Sequence, residues 1–206
     1  MKILVVDDHP SVAEGIRAVL RGAVSDSTVD LASTAPEATA KCSTEQYALL
    51  VVDMSLPGRS GPELVAELRR LQPAGAILVY SVHAEQQFGV RAVRAGADGY
   101  LTKDRPIEEL LGAARVLLSG KKYITNGLSV ALAEAVSGPA EPMSLLSDRE
   151  LQVLRMVVHG ASTSDIAYRL HLSVKTVSTY RSRILEKLRV SGTAELIRYA
   201  LTHGVE

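Results

Sequence analysis

Short runs of apolar residues, at positions 3–6, 29–32, 48–52, 76–80 and 99–101, recur along the first half of the chain. Between them lie VAEGIRAVLRG, APEATAKC, GPELVAELRRL, EQQFGVRAVRAG and PIEELLGAARVLLSG, in which apolar residues return three and four positions apart and which often close on glycine. A short continuous apolar run fits a strand buried on both faces, whereas the three-and-four spacing fits an amphipathic helix. The alternation predicts a (βα)5 α/β unit: a parallel sheet, helices on both faces, right-handed crossovers. The strand order 2-1-3-4-5 is borrowed from known doubly wound sheets rather than read from the pattern.

After Lys122 the alternation stops, and Asn126, Gly127, Ser137, Gly138, Pro139 and Pro142 mark a connecting segment over 123–145 that has room for a short helix near 128–136. From Ser147 onward only helical spacing is found. Ser147 with Glu150 and Ser162 with Asp165 read as capping boxes, in which side chain and backbone satisfy each other at a helix start. Four helices are expected, over about 148–158, 163–170, 174–188 and 193–203. The division is therefore 1–122, a connector 123–145, and an all-α unit 146–206.

A chain of 206 residues suits two such domains. With 47% hydrophobic and 22% charged residues it has the composition of a folded protein rather than a disordered one. The amino terminus, MKILVVDDHP, lacks the longer apolar core of a signal peptide. No apolar stretch approaches the roughly 20 residues that span a bilayer. The single cysteine, Cys42, allows no intramolecular disulfide. A cytoplasmic protein without a membrane partner is expected. The net charge of zero conceals a gradient: 14 basic and 15 acidic residues in 1–122, two glutamates in 123–145, 9 basic and 6 acidic in 146–206. The last unit thus carries an excess of +3, which permits a polyanionic partner without requiring one.

Chemistry-bearing side chains sit at the ends of four apolar runs: Asp7 and Asp8, then Asp53, Ser81 and Lys103. Strand carboxy ends are where open parallel sheets bind ligands. In the borrowed order the first and third strands are neighbours, so Asp8 stands beside Asp53. Any one of these residues is common in loops after strands. Together they suit one chemistry: converging carboxylates repel, a hard divalent cation such as Mg²⁺ relieves the repulsion, and Lys103 and the Ser81 hydroxyl can take phosphoryl oxygens. Asp53 is then a nucleophile for phosphoryl transfer.

The segments VVDDHP, VVDMSLPGRSG, VYSVHAE and GYLTKD resemble the signature stretches of response-regulator receivers over about the first 122 residues. The resemblance implies Asp53 as phosphoacceptor, Asp8 as a direct and Asp7 as a water-mediated Mg²⁺ ligand, and the Ser55 carbonyl as a further ligand. It also implies Ser81 as switching hydroxyl, Tyr100 as the ring that follows it, and Lys103 as phosphate partner; Pro57 and Gly61 fit the loop beyond Asp53. Leu56 and Val82 depart from the usual pattern, and Val82 narrows the approach to the site.

In STSDIAYRLHLSVKTVSTYRSRILEKL, Ile166, Ala167 and Leu170 form one apolar face, and Val174, Val177, Ile184 and Leu188 form a stripe on the longer helix. Lys175, Ser178, Thr179 and Ser182 share the opposite face. Small hydroxyl side chains let a helix enter the major groove, with Lys175, Thr176, Arg181, Arg183, Lys187 and Arg189 near the backbone. The bland alternative is a four-helix unit with a solvated basic face. The segments LSDRELQVL, SDIAYRLHLSVKTVSTYRSRILEKL and AELIRYALTHG resemble LuxR-type output domains, and the two halves together resemble the NarL/FixJ subfamily of response regulators. Tyr180 stands where histidine is usual.

The resemblance implies a transcription regulator of a two-component system, phosphorylated by a sensor histidine kinase and binding double-stranded DNA at two half-sites as a homodimer paired through the last helix. It also implies that the chain is not a turnover enzyme, although the phosphoryl group can be lost by autodephosphorylation. Two other classes remain open at this point. A Mg²⁺-dependent phosphohydrolase would use Asp53 repeatedly, but the DxD arrangement of such enzymes is missing; a protein-interaction module would bind no DNA. Cys42, His9 and His83 are read as structural or loop residues.

Overall fold

The computed structural model describes residues 1–24, 26–56, 61–137, 146–170 and 172–202. Pro57, the connector residues 138–145 and His203 lie outside the described residues. The chain divides into two compact units, Met1–Ser137 and Gly138–Glu206.

In the first unit, β1 (Lys2–Val6), β2 (Thr28–Ala32), β3 (Leu49–Val52), β4 (Ala76–Ser81) and β5 (Gly99–Thr102) form one parallel sheet in the order β2-β1-β3-β4-β5. Helices α1 (Pro10–Ala23), α2 (Ala35–Thr44), α3 (Gly61–Leu71), α4 (Glu85–Arg94) and α5 (Ile107–Leu118) alternate with the strands. Because strand side chains alternate between faces, Ile3, Val5, Leu49, Val51 and Leu78 pack with Ala13, Ile16 and Leu20 of α1 and Leu110, Ala113 and Leu117 of α5. Leu4, Val6, Leu50, Val52, Ile77 and Val79 point the other way and are equally buried. Burial on both faces is why these strands read as unbroken apolar runs rather than alternating ones.

The register pairs Val6 with Val52, so the chain leaves β1 and β3 side by side and Asp7 and Asp53 emerge together. Ser81 pairs with Thr102, and Lys103 N donates to the Ser81 carbonyl (2.7 Å), so the two right-hand strands deliver Ser81 and Lys103 to the same edge.

Beyond α5, Tyr123 forms an isolated bridge to Gly99, and α6 (Asn126–Ser137) follows within the first unit. It is longer than the short helix expected from the sequence and lies against α4.

The second unit holds α7 (Asp148–Val158), α8 (Thr163–Arg169), α9 (Val174–Leu188) and α10 (Thr193–Thr202). Both capping boxes are formed: Ser147 Oγ accepts from Glu150 N and Ser162 Oγ from Asp165 N, with each acid returning to the serine amide. Leu151, Leu154, Ile166, Val177, Ile184, Leu188 and Leu196 are buried. Val174 is not part of that stripe: as the first residue of α9 it is 50% exposed.

Candidate functional site

The acidic site is built by strand endings. Asp7 and Asp53 are both 3% exposed, and Lys103 places its ammonium between them, Nζ donating to Asp7 Oδ2 (2.7 Å) and Asp53 Oδ2 (2.8 Å). Burial pushes the Lys103 pKa down, but the hydrogen bonds and charges of Asp53 and Asp7 outweigh it and hold the ammonium above its ordinary value. Lys103 is therefore cationic whenever both acids are ionised. The remaining oxygens are held by backbone: His9 N donates to Asp7 Oδ1 (2.8 Å) and Ser55 N to Asp53 Oδ1 (3.0 Å).

Ligand atoms of Asp7, Asp8, His9 and Asp53 lie within 4.8 Å of one another. Asp8 Oδ1 is buried and accepts no hydrogen bond among the described residues, although the His9 ring nitrogen stands 3.0 Å away. A buried carboxylate oxygen left without a donor, next to two further carboxylates, is the environment that a hard, oxygen-preferring cation fits. His9, set aside from the sequence as a helix entrance, does sit at the start of α1, but its side chain also faces the acids.

Ser81 is fully buried at the end of β4, and His83 N donates to its Oγ (3.3 Å). Tyr100 is fully buried on β5, with its hydroxyl donating to the His83 carbonyl (2.9 Å). The His83 ring stacks on Phe88 with centroids 4.5 Å apart, and its Nε2 lies 3.2 Å from Ser55 Oγ. His83 thus bridges the loops after β3 and β4. The sequence marks His83 only as a loop residue, since nothing in a linear pattern shows which loops meet. Val82, just beyond the end of β4, is 69% exposed beside the site.

In the second unit α9 presents Lys175, Ser178, Thr179, Ser182 and Arg183 to solvent. The hydroxyls of Ser178, Thr179 and Ser182 donate to carbonyls four residues back, at 3.0, 3.0 and 3.1 Å. Such local bonds keep hydroxyls satisfied in the free protein and exchange readily for an outside acceptor. Ser173 caps the helix, accepting from Thr176 N (3.0 Å). A shallow concavity of about 330 Å³ is lined by Ser173, Lys175, Thr176, Thr179, Tyr180 and Arg183.

Two of the cations expected along this face have partners inside the unit. Arg181 donates to Thr163 Oγ1 (2.7 Å) and Thr193 Oγ1 (2.8 Å), tying α9 to the starts of α8 and α10. Lys187 Nζ donates to Glu150 Oε2 (2.7 Å) at the start of α7. Spacing along one helix could not reveal these long-range partners. Arg189 ends α9 in the left-handed region (φ 55°).

Residues 3–115 match the response regulator receiver domain family and residues 144–200 the luxR family of bacterial regulatory proteins. The chain is similar to the response regulator UvrY of Escherichia coli K12, 34% identical over all of this chain and 95% of that protein. Among solved structures it is similar to RcsB of Salmonella enterica serovar Typhimurium bound to promoter P1flhDC in the presence of the phosphomimetic BeF3⁻, with TM-score 0.60, 26% identity and 97% of each chain covered. A structure of two RcsB dimers bound to two parallel DNAs also matches, with TM-score 0.60, 25% identity and 98% coverage of each chain.

Proposed function

The chain belongs to the NarL/FixJ subfamily of two-component response regulators, a receiver joined to a LuxR-type DNA-binding domain, and on that premise we propose that phosphorylation of Asp53 controls its binding to promoter DNA. The observation that carries the reading is Lys103 bridging Asp7 and Asp53, which keeps the nucleophile and its cationic partner together at one sheet edge.

An Asp53 carboxylate oxygen attacks the phosphorus of a phosphohistidine on the sensor kinase; the P–N bond breaks, the acyl phosphate forms, and the departing imidazole takes up a proton. Lys103 is placed to follow the added charge, exchanging a carboxylate oxygen for a phosphoryl one. Asp7, Asp8, Asp53 and the Ser55 carbonyl would hold Mg²⁺, whose charge, when bound, screens the incoming phosphoryl oxygens. Ser81 is the hydroxyl donor for the phosphoryl group, and Tyr100 reports its movement through the His83 carbonyl. Attack of water on the phosphorus breaks its bond to the Asp53 oxygen, releasing inorganic phosphate and restoring the carboxylate, so the group is a timed signal rather than a turnover intermediate.

We assign residues 1–122 to the receiver and 146–206 to DNA binding, with 123–145 connecting them. Ser178, Thr179 and Ser182 reach base edges, while Lys175, Thr176 and Arg183 hold phosphates; Arg181 and Lys187 secure the unit from within. The relative bound to promoter DNA with a phosphomimetic, and the relative bound to DNA as dimers, support a homodimer acting on two half-sites. A DNA target places that action in the cytoplasm.

The test is a DNA titration of the full chain with and without a small phosphodonor and Mg²⁺, with phosphoryl uptake followed by intact mass. Asp53→Asn is expected to lose both the uptake and the phosphodonor-dependent gain in affinity. Continued uptake by this variant would show that the nucleophile has been misassigned.

A further inference from the structure

Glycine is a poor helix former in mid-helix, yet Gly89 lies in the middle of α4. A Cβ built there would stand 2.7 Å from Leu128 Cδ1 of α6. Leu128 is fully buried, so α6 approaches α4 closely at the one position of α4 that has no side chain. The two helices are also tied at both ends. Thr125, immediately before α6, donates its hydroxyl to Glu85 Oε2 (2.7 Å) at the start of α4 and accepts Leu128 N (3.2 Å). Arg94 at the end of α4 donates to the Ala135 carbonyl (2.7 Å) near the end of α6. The pair therefore runs start to start and end to end.

The start of α4 is also where the proposed switch residues converge. The loop between Ser81 and Glu85 carries His83, whose carbonyl receives the Tyr100 hydroxyl and whose ring stacks on Phe88 of α4. Tyr100, Glu85 and Thr125 border a single concavity of about 170 Å³. Thr125 thus holds the first residue of α4 with the same hydroxyl that caps α6, so a shift of that loop acts on both the tether and the cap.

We infer that α6 is the output lever of the receiver: its seat on α4, made by Leu128 over Gly89 and by the Thr125–Glu85 hydrogen bond, carries the phosphorylation-dependent movement of the β4–α4 loop into the connector that leads to the DNA-binding unit. This rests on the Asp53 reading above and assigns to that switch a transmission element that neither the phosphoacceptor site nor the DNA-binding helix contains. In the unphosphorylated chain the seat is closed; displacement of the loop loosens it and frees α6 from α4.

The experiment uses the full chain and its Thr125→Val, Thr125→Ser and Leu128→Ala variants, with phosphodonor and Mg²⁺. Three quantities are read: phosphoryl uptake by intact mass, hydrogen exchange of the α6 amides, and DNA affinity. Phosphorylation of the unaltered chain is expected to speed exchange across 126–137. Thr125→Val and Leu128→Ala are expected to take up phosphate normally, to exchange quickly in α6 before phosphorylation, and to lose an affinity gain of about fivefold or more. Thr125→Ser, which keeps the hydroxyl, is expected to behave as the unaltered chain. Normal uptake with a full affinity gain in Thr125→Val and Leu128→Ala would overturn the lever while leaving the proposed function standing. No uptake by the unaltered chain would overturn the Asp53 reading and the lever with it.

Discussion

Lys103 supplies the positive charge that lets Asp7 and Asp53 stand together in a buried edge, and its removal tests that balance. In Lys103→Met the two carboxylates face each other in a buried edge without the ammonium, and their repulsion is left uncompensated. The melting temperature of Lys103→Met should therefore fall clearly below that of the unaltered chain at pH 7 and recover on addition of Mg²⁺. A deficit indifferent to Mg²⁺ would show that Lys103 acts by packing alone. The types and order of these residues were readable from the sequence because each ends or closely follows an apolar run. The bridge itself was not, since Lys103 and Asp7 are separated by 96 residues and only the register of four strands brings them together. His83 was missed for the same reason: its partners, Ser55 and Tyr100, come from two other segments.

Helix starts in the second unit were legible because capping is local, and Ser147 and Ser162 each find their acid three residues on. What locality cannot show is how those ends are used again over distance. Burial pushes the Glu150 carboxyl up, but the Lys187 ammonium and the Ser147 amide outweigh it and hold the pKa below its ordinary value of 4.5. The stability this pair contributes is present above that ordinary value and is lost as pH falls through the lowered one. Lys187→Met should cost about 1–3 kcal/mol at pH 7, from the unpaired acid it leaves, and less in strong acid, measured by chemical denaturation followed on α7. Arg181 and Arg183 make a sharper comparison, because periodicity assigns both to DNA while the structure gives Arg181 two threonine partners. Arg181→Met should destabilise the unit by about 1–3 kcal/mol, seen as faster amide exchange in α8 and α10. Arg183→Ala should leave stability within about 0.5 kcal/mol and instead lower the salt dependence of DNA binding by about one phosphate contact. Equal losses of stability would place Arg183 in the frame as well.

At the scale of the whole molecule, electrostatics alone give the protein little hold on DNA: the chain is neutral, and the DNA-binding unit carries an excess of only +3. Sequence-independent affinity grows with the number of phosphates neutralised, so one such unit binds weakly and tunably, which suits a regulator that must let go. Two units on adjacent half-sites make the second contact intramolecular, and the gain then depends on a protein surface that sets their spacing. The last helix offers such a surface. Leu196 and Ala200 of α10 are buried in the unit, whereas Leu201 is 57% exposed at the helix end and Ala194 and Arg198 are exposed along the same helix. An exposed leucine beside a cation suits a small symmetric contact that forms only when DNA or a phosphorylated receiver has already brought two copies close. Leu201→Glu places a charge in that contact without touching the core or the exposed hydroxyls of α9. The variant should take up phosphate normally and bind one half-site as the unaltered chain does. It should lose the tenfold or greater advantage of two half-sites spaced by about 10 base pairs. If that advantage survives, α10 is not the pairing surface and the receiver must supply the dimer.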